Sequence, residues 1–159
     1  MKQQELSQWL KMIIVFSGCF GLLLCIYLGP ELGKELLLPY ERLKALYHPF
    51  IAFLWITGIP FFIALLLGWN ICSDIRADQT FTDTNASRLK VISILAMVEC
   101  VLYVSALLYL VIRSSFHVYM FTFILLMIFC AVIIAVFTSM LSHLVRKASE
   151  IQEDNELTI

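Results

Sequence analysis

The chain has 159 residues, 61% of them hydrophobic and 14% charged, with a mean hydropathy of +0.90 and a formal net charge of −1. Ordinary soluble domains carry about 45 to 50% apolar and about 25% charged residues, so a water-soluble fold is excluded. No extramembrane stretch is long enough to bury a core of its own, which excludes a separate catalytic or DNA-binding domain.

A spanning helix needs about 20 mostly apolar residues, and four segments qualify, at about 12–28, 50–69, 91–112 and 118–141. The predicted fold is an all-α integral membrane protein in one membrane domain. It is a four-transmembrane-helix bundle with short loops and a cytoplasmic C-terminal helical extension over 142–159. Lys2, Lys11, Arg76, Arg88, Lys90, Arg146 and Lys147 lie on one side, against Lys34, Arg42, Lys44 and Arg113 on the other. The excess of cations places both termini in the cytoplasm, with the chain a multi-pass protein of the cell membrane. Trp9, Tyr27, Tyr40, Tyr47, Trp69 and Tyr119 fall near segment ends, where amphipathic rings anchor at the headgroups.

In the first helix, Ser17-x-x-x-Gly21 with Gly18 beside it is a small face that permits close helix approach, for internal packing or for a homo-oligomer. Phe16-Ser17-Gly18-Cys19 has a faint likeness to a lipoprotein cleavage box, but the apolar run continues past the cysteine, and the helix reads as retained. Cys19, Cys25, Cys72, Cys100 and Cys130 have no C-x-x-C spacing and read as small hydrophobes. The segment 29–49 mixes leucines with charges, as expected of a short helix lying on the outer surface with its leucines in the headgroup zone. Pro39 divides any helix there.

The second helix carries Gly58 and Pro60 near its middle, which predicts a kink. In the following loop, Thr82 is positioned to cap the third helix, Asp83 to occupy its first turn, and Phe81 to staple onto Ala86.

Glu99 is the one acid deep in an apolar segment. An ionised acid at the bilayer centre costs about 2.5 to 3.5 kcal/mol or more, so the neutral form is expected much of the time. Glu99 shares a helical face with Ala96, Tyr103 and Ala106, a small and polar surface suited to the bundle interior. Tyr103, Ser17, Thr57 and Thr138 are its possible hydrogen-bond partners. Structural bonding, a ligand or proton sensor, and transport all remain open for Glu99 and Tyr103; transport paths usually present several ionisable groups, and only one occurs here.

Beyond the fourth segment, Leu141, Leu144, Val145, Ala148 and Ile151 recur at three- and four-residue steps, an apolar stripe on an otherwise polar helix. The stripe covers either the Phe81 region of the chain itself or a partner protein's groove. Phe81, Leu144, Ala148, Ile151, Leu157 and Ile159 therefore form the expected docking surface. The acidic end disfavours anionic lipid and favours a basic protein. His48, His117 and His143 sit at membrane boundaries on separate segments and do not read as a metal set.

The loop Thr80-Phe81-Thr82-Asp83-Thr84-Asn85-Ala86-Ser87-Arg88-Leu89-Lys90 and the tail Ala148-Ser149-Glu150-Ile151-Gln152-Glu153-Asp154-Asn155-Glu156-Leu157-Thr158-Ile159 resemble the bacterial domain-of-unknown-function 2975 family. That resemblance implies four spanning helices, a phenylalanine before the third, and a tail ending in an acidic-Asn-x-Leu-Thr-Ile pattern. It also implies a frequent genetic neighbour, a small Xre-like helix-turn-helix regulator, as a partner. It carries no catalytic residues, and Glu99 matches no family motif. With no nucleophile-base or metal-ligand spacing in the chain, neither an enzyme nor a cofactor is expected, and no direct contact with nucleic acid. The expected function is a membrane interaction protein that senses for, or sequesters, such a regulator. The alternative is a small transporter or channel subunit using Glu99.

Overall fold

The computed structural model describes residues 3–41, 43–113 and 118–157, with the side chains of Gln3, Glu156 and Leu157 excepted. Its regular structure among the described residues is helical: α1 (Gln3–Leu23), α2 (Gly29–Leu37), α3 (Tyr47–Arg76), α4 (Asp83–Ile112) and α5 (Val118–Leu157). Four helices are long and apolar enough to cross a membrane, the first being the continuous run Gln4–Leu37. The all-α, four-span fold is as the sequence predicts.

The first span is longer than its apolar run. The expected surface segment after residue 28 is instead a continuation of the helix, because the backbone changes register before it meets Pro30. Residues Leu24–Leu28 form a π-turn, in which the Gly29 amide donates to the Leu24 carbonyl. Pro30 then falls in the first turn of α2, where a missing N–H is least costly. α2 ends at Leu37, ahead of Pro39. The leucines of this region divide: Leu37, Leu43 and Leu46 are buried against Tyr47, Phe50, Leu110 and Met120 at the end of the bundle, whereas Leu36 and Leu38 remain exposed. α3 runs as one helix through a buried Pro60.

Packing runs in a row, α1 on α3, α3 on α4 and α4 on α5, and among the described residues no comparable interface joins α1 to α5. The two outer pairs use different small residues. All six glycines lie where α1 and α2 meet α3: a Cβ on Gly18 would touch Leu65, one on Gly21 would meet Phe61, one on Gly33 Phe50, one on Gly58 Cys25 and one on Gly68 Ile14. At Gly29 it would stand 2.6 Å from the Leu24 carbonyl as well as against Leu54. The small face read on the first helix is thus used internally. The α4–α5 pair is instead lined by buried Ala86, Ala96, Ala131 and Ala135.

Three buried serines lock these pairs by donating to carbonyls of the neighbouring helix: Ser7 to Cys72 (2.6 Å), Ser93 to Ala135 (2.8 Å) and Ser142 to Ala86 (2.7 Å). The same bonds bring the start of α1, the end of α3, the start of α4 and the end of α5 to one pole of the molecule. α2 and residues 43–46 cover the other.

Candidate functional site

Two sites follow from this frame, one in the bundle interior and one at the terminal pole. In the interior, Glu99 lies on the face of α4 that meets α3, one helical turn before Tyr103. The Tyr103 ring packs edge-on against Phe53 of α3, with centroids 5.4 Å apart, near Thr57 of that helix. The Thr57 hydroxyl donates to the Leu54 carbonyl at 3.2 Å. The same carbonyl faces the thiol of Cys25, at 4.0 Å, which the π-turn of the first helix brings inward. Cys25 and Thr57 are both buried.

Of the partners expected for Glu99, the structure gathers Tyr103 and Thr57 at its level. Thr138 is engaged on its own helix, donating to the Ile134 carbonyl at 2.7 Å. The expected interhelical hydrogen bond is not made: the Glu99 Oε2 atom is buried without a partner. Sequence reasoning missed Cys25 as a member of this group, since nothing in a run of apolar residues announces a π-turn.

The terminal pole is organised by a residue that periodicity passes over. Asn85, 1% exposed, donates from Nδ2 to the carbonyls of Gln79 (3.0 Å) and Thr80 (3.3 Å). Its Oδ1 accepts from Arg88 at 2.9 Å, and Arg88 also forms an ion pair with Asp74 of α3. The Thr82 cap is present as expected, its hydroxyl accepting from the Asn85 amide at 3.3 Å. One side chain therefore holds the whole α3–α4 turn, including Asp78 in the left-handed region at φ 64°. The signal was there: Asn85 stands three residues after the cap and three before an arginine, a spacing at which side chains on a helix meet.

Phe81 does not staple onto Ala86. Ala86 is covered by Leu89, Val145 and Ile71, and Phe81 is left 53% exposed. It borders an open groove of about 340 Å³ lined by Asp78, Gln79, Thr80, Thr82 and Gln152, so α5 reaches the turn. The expected stripe on α5 separates into two faces. Ser142 and Val145 are buried toward α4, whereas Leu141, Leu144 and Ile151 are exposed and Ala148 is partly covered. Ile159 and the Leu157 side chain, the last members of the expected docking surface, lie outside the described residues, as does His117. His48 and His143 stand at opposite poles, and no group of three potential metal ligands occurs among the described residues. The five cysteines are free thiols.

The family described as "Protein of unknown function (DUF2975)" matches residues 35–159, which include the α3–α4 turn and the α5 tail. This chain belongs to that family. A relative within reach of sequence comparison is the uncharacterized membrane protein YoaS of Bacillus subtilis (strain 168), 27% identical over 153 residues that cover 95% of this chain and 96% of the relative. No solved structure matches the chain. As a family member it is a membrane protein with four candidate spans.

Proposed function

We propose that the protein is a membrane-anchored interaction protein whose working surface is the terminal pole, and that this surface retains a basic cytoplasmic regulator of the small Xre-like helix-turn-helix type. The observation that carries the reading is the contrast at the α3–α4 turn: Asn85 fixes the backbone, yet Phe81 is left 53% exposed beside Gln152 of α5. An exposed aromatic on a rigid turn is the kind of anchor that binding surfaces use. Asp78 lines the same groove and Asp83 lies in the first turn of α4, while α5 carries Glu150, Glu153 and Asp154 on either side of Gln152; such acids suit a DNA-binding protein, whose own surface is basic.

The length of α5 supports the same reading. Its 40 residues measure about 60 Å at 1.5 Å each, about twice the hydrocarbon thickness of a bilayer. The part beyond residue 141 projects into water carrying exposed Leu144 and Ile151. Orientation with this pole in the cytoplasm follows from the seven Lys and Arg on its side against four on the other. No catalytic constellation is required, and the partner supplies the contact with DNA.

The test is retention of the neighbouring regulator in the membrane fraction. Deleting residues 150–159 or making Phe81→Ala releases it while the four helices remain inserted at normal level. Unchanged retention in both variants overturns the reading.

A further inference from the structure

α5 carries more apolar surface than α4 and the α3–α4 turn cover. Ser142 and Val145 face α4, and Gln152 reaches the turn. Beside that covered face runs a second one, made of Leu141, Leu144, Ala148, Ile151 and Asn155 at alternating steps of three and four residues. Leu141, Leu144, Ile151 and Asn155 are exposed, and Ala148 is only partly covered. Because Ser142 is level with Ala86 and α4 begins at Asp83, α5 runs on past α4 into water for about three turns. Leucine and isoleucine there have no lipid to cover them, and so short a helical stretch draws little stability from its own hydrogen bonds.

The spacing is that of a coiled-coil seam, with Leu141, Ala148 and Asn155 at a positions and Leu144 and Ile151 at d. The charges keep the same register. Arg146 and Glu153 fall at f and His143 and Glu150 at c, all pointing away from the seam, while the e positions hold uncharged Val145 and Gln152. In a parallel pair each g position faces e of the next heptad on the other strand, which sets Lys147 against Gln152 of the second copy and opposes no like charges. A single asparagine at an a position fixes register and strand number in such coils. Two copies inserted in one membrane with the same topology point the same way, so their extensions emerge parallel. The seam also continues into the bilayer through Phe137, Ile134 and Cys130, exposed at the same spacing. A cytoplasmic protein reaches only the part in water, whereas a second copy follows the stripe across the boundary.

We propose that this stripe is a self-association surface, on which a second copy of the chain lays its own α5 in parallel to form a two-stranded coil from Ile134 to Asn155. Leu144 and Ile151 fill the seam where it leaves the membrane, and Asn155 pairs with its counterpart at the far end. Glu150 and Glu153 stay outside the seam, so the pairing is independent of what docks beside Phe81.

The experiment uses the full chain in native membranes, with the five native cysteines replaced by alanine and single cysteines placed on α5. Leu144→Cys, Ala148→Cys and Ile151→Cys are oxidised with copper phenanthroline beside Arg146→Cys, Glu150→Cys and Glu153→Cys. Disulfide-linked dimers are expected several-fold more abundant at the first three positions than at the second three. Equal yields at all six, or no dimer at 144, 148 and 151, overturn the proposal. So does a disulfide from those positions to a different protein, which marks the groove of another partner. The purified wild-type chain, free of any substitution, is expected to sediment at equilibrium in density-matched micelles as a dimer that dissociates on dilution. A monomer at every concentration overturns the proposal as well. Leu144→Glu with Ile151→Glu, both at exposed positions, is expected to weaken that association at least several-fold at unchanged membrane level, and an association as tight as that of the wild type places the contact elsewhere and overturns the proposal. If that variant does not reach the membrane, Asn155→Ala takes its place, expected to shift the dimer's dissociation or its strand number, and no change in either overturns the proposal. Because the purified chain is measured alone, failure of the regulator to be retained leaves these results untouched.

Discussion

The Ser142 hydroxyl donates to the Ala86 carbonyl across 2.7 Å, tying α5 at the point where it leaves its apolar run to the first turn of α4. Ser93 repeats the arrangement seven residues along α4, on Ala135. Interhelical bonds of this kind in membrane proteins average about 0.6 kcal/mol. Ser142→Ala and Ser93→Ala are each expected to lose about that much, and the double variant about twice as much because the sites are two helical turns apart. Unfolding of the detergent-solubilised protein in a denaturant series measures it. A loss several times larger in either single variant would mean that the serine carries more than this one bond.

The glycines predict an ordering. Gly18→Ala places its methyl at ordinary contact distance, 3.7 Å from Leu65, and should be tolerated. Gly21→Ala drives a methyl to 2.6 Å from the Phe61 ring, a side chain that can shift, at an overpacking cost of about 1 to 3 kcal/mol. Gly29→Ala meets backbone at the π-turn, which cannot move aside, and should be the most damaging. Thermal stability in detergent should follow the order Gly18, Gly21, Gly29.

Asn85→Asp keeps an oxygen toward Arg88 and loses both bonds to the Gln79 and Thr80 carbonyls. Asn85→Ala loses all three. Amide exchange over residues 77–84 is expected to rise strongly in both, and less in Thr82→Ala, where one cap worth about 1 kcal/mol is removed. Equal protection in wild type and Asn85→Asp would show that the turn is held by something other than the amide.

Since Glu99 Oε2 is buried with no hydrogen-bond partner among the described residues, replacing the side chain by an apolar one removes a desolvated atom and breaks no bond of that oxygen. Glu99→Leu is therefore expected to raise thermal stability by about 1 kcal/mol or more. A destabilised Glu99→Leu protein would mean that the carboxyl has a partner after all.

The readable part of this molecule was whatever a run or a period encodes. Four apolar runs yield four spans, and Thr82 with Asp83 yields the start of α4, because a cap is a local event fixed by neighbouring residues. The extension of the first helix past Pro30 was not readable. It depends on a one-residue register change in Leu24–Leu28, and no side chain there differs from those of an ordinary spanning helix. The fate of Glu99 was half legible: its face and its neighbour Tyr103 follow from helical spacing, but that Tyr103 packs on Phe53 depends on the meeting of α3 and α4. Likewise the stripe on α5 could be counted but not divided, since which of Leu144 and Val145 turns inward is set by where α4 begins.

Cysteine labelling at Gln3 and Glu153 is expected to give the same answer at both, because the serine bonds gather the start of α1 and the end of α5 at one pole. An impermeant reagent should reach them only in opened cells. Labelling of intact cells at both positions would reverse the orientation, and labelling at one alone would contradict the fold.

The row of helices has a consequence for how the protein is made. α1 emerges with its glycine face bare, and the element that covers it is α3, the next to cross the bilayer. α5 is covered by α4, which immediately precedes it. Each half is thus complete as soon as its second span is inserted, with no need to wait for a distant segment. A chain released after residue 76 would leave a matched pair in the membrane, and the second pair would join it through contacts that include Asp74–Arg88 and Phe53–Tyr103.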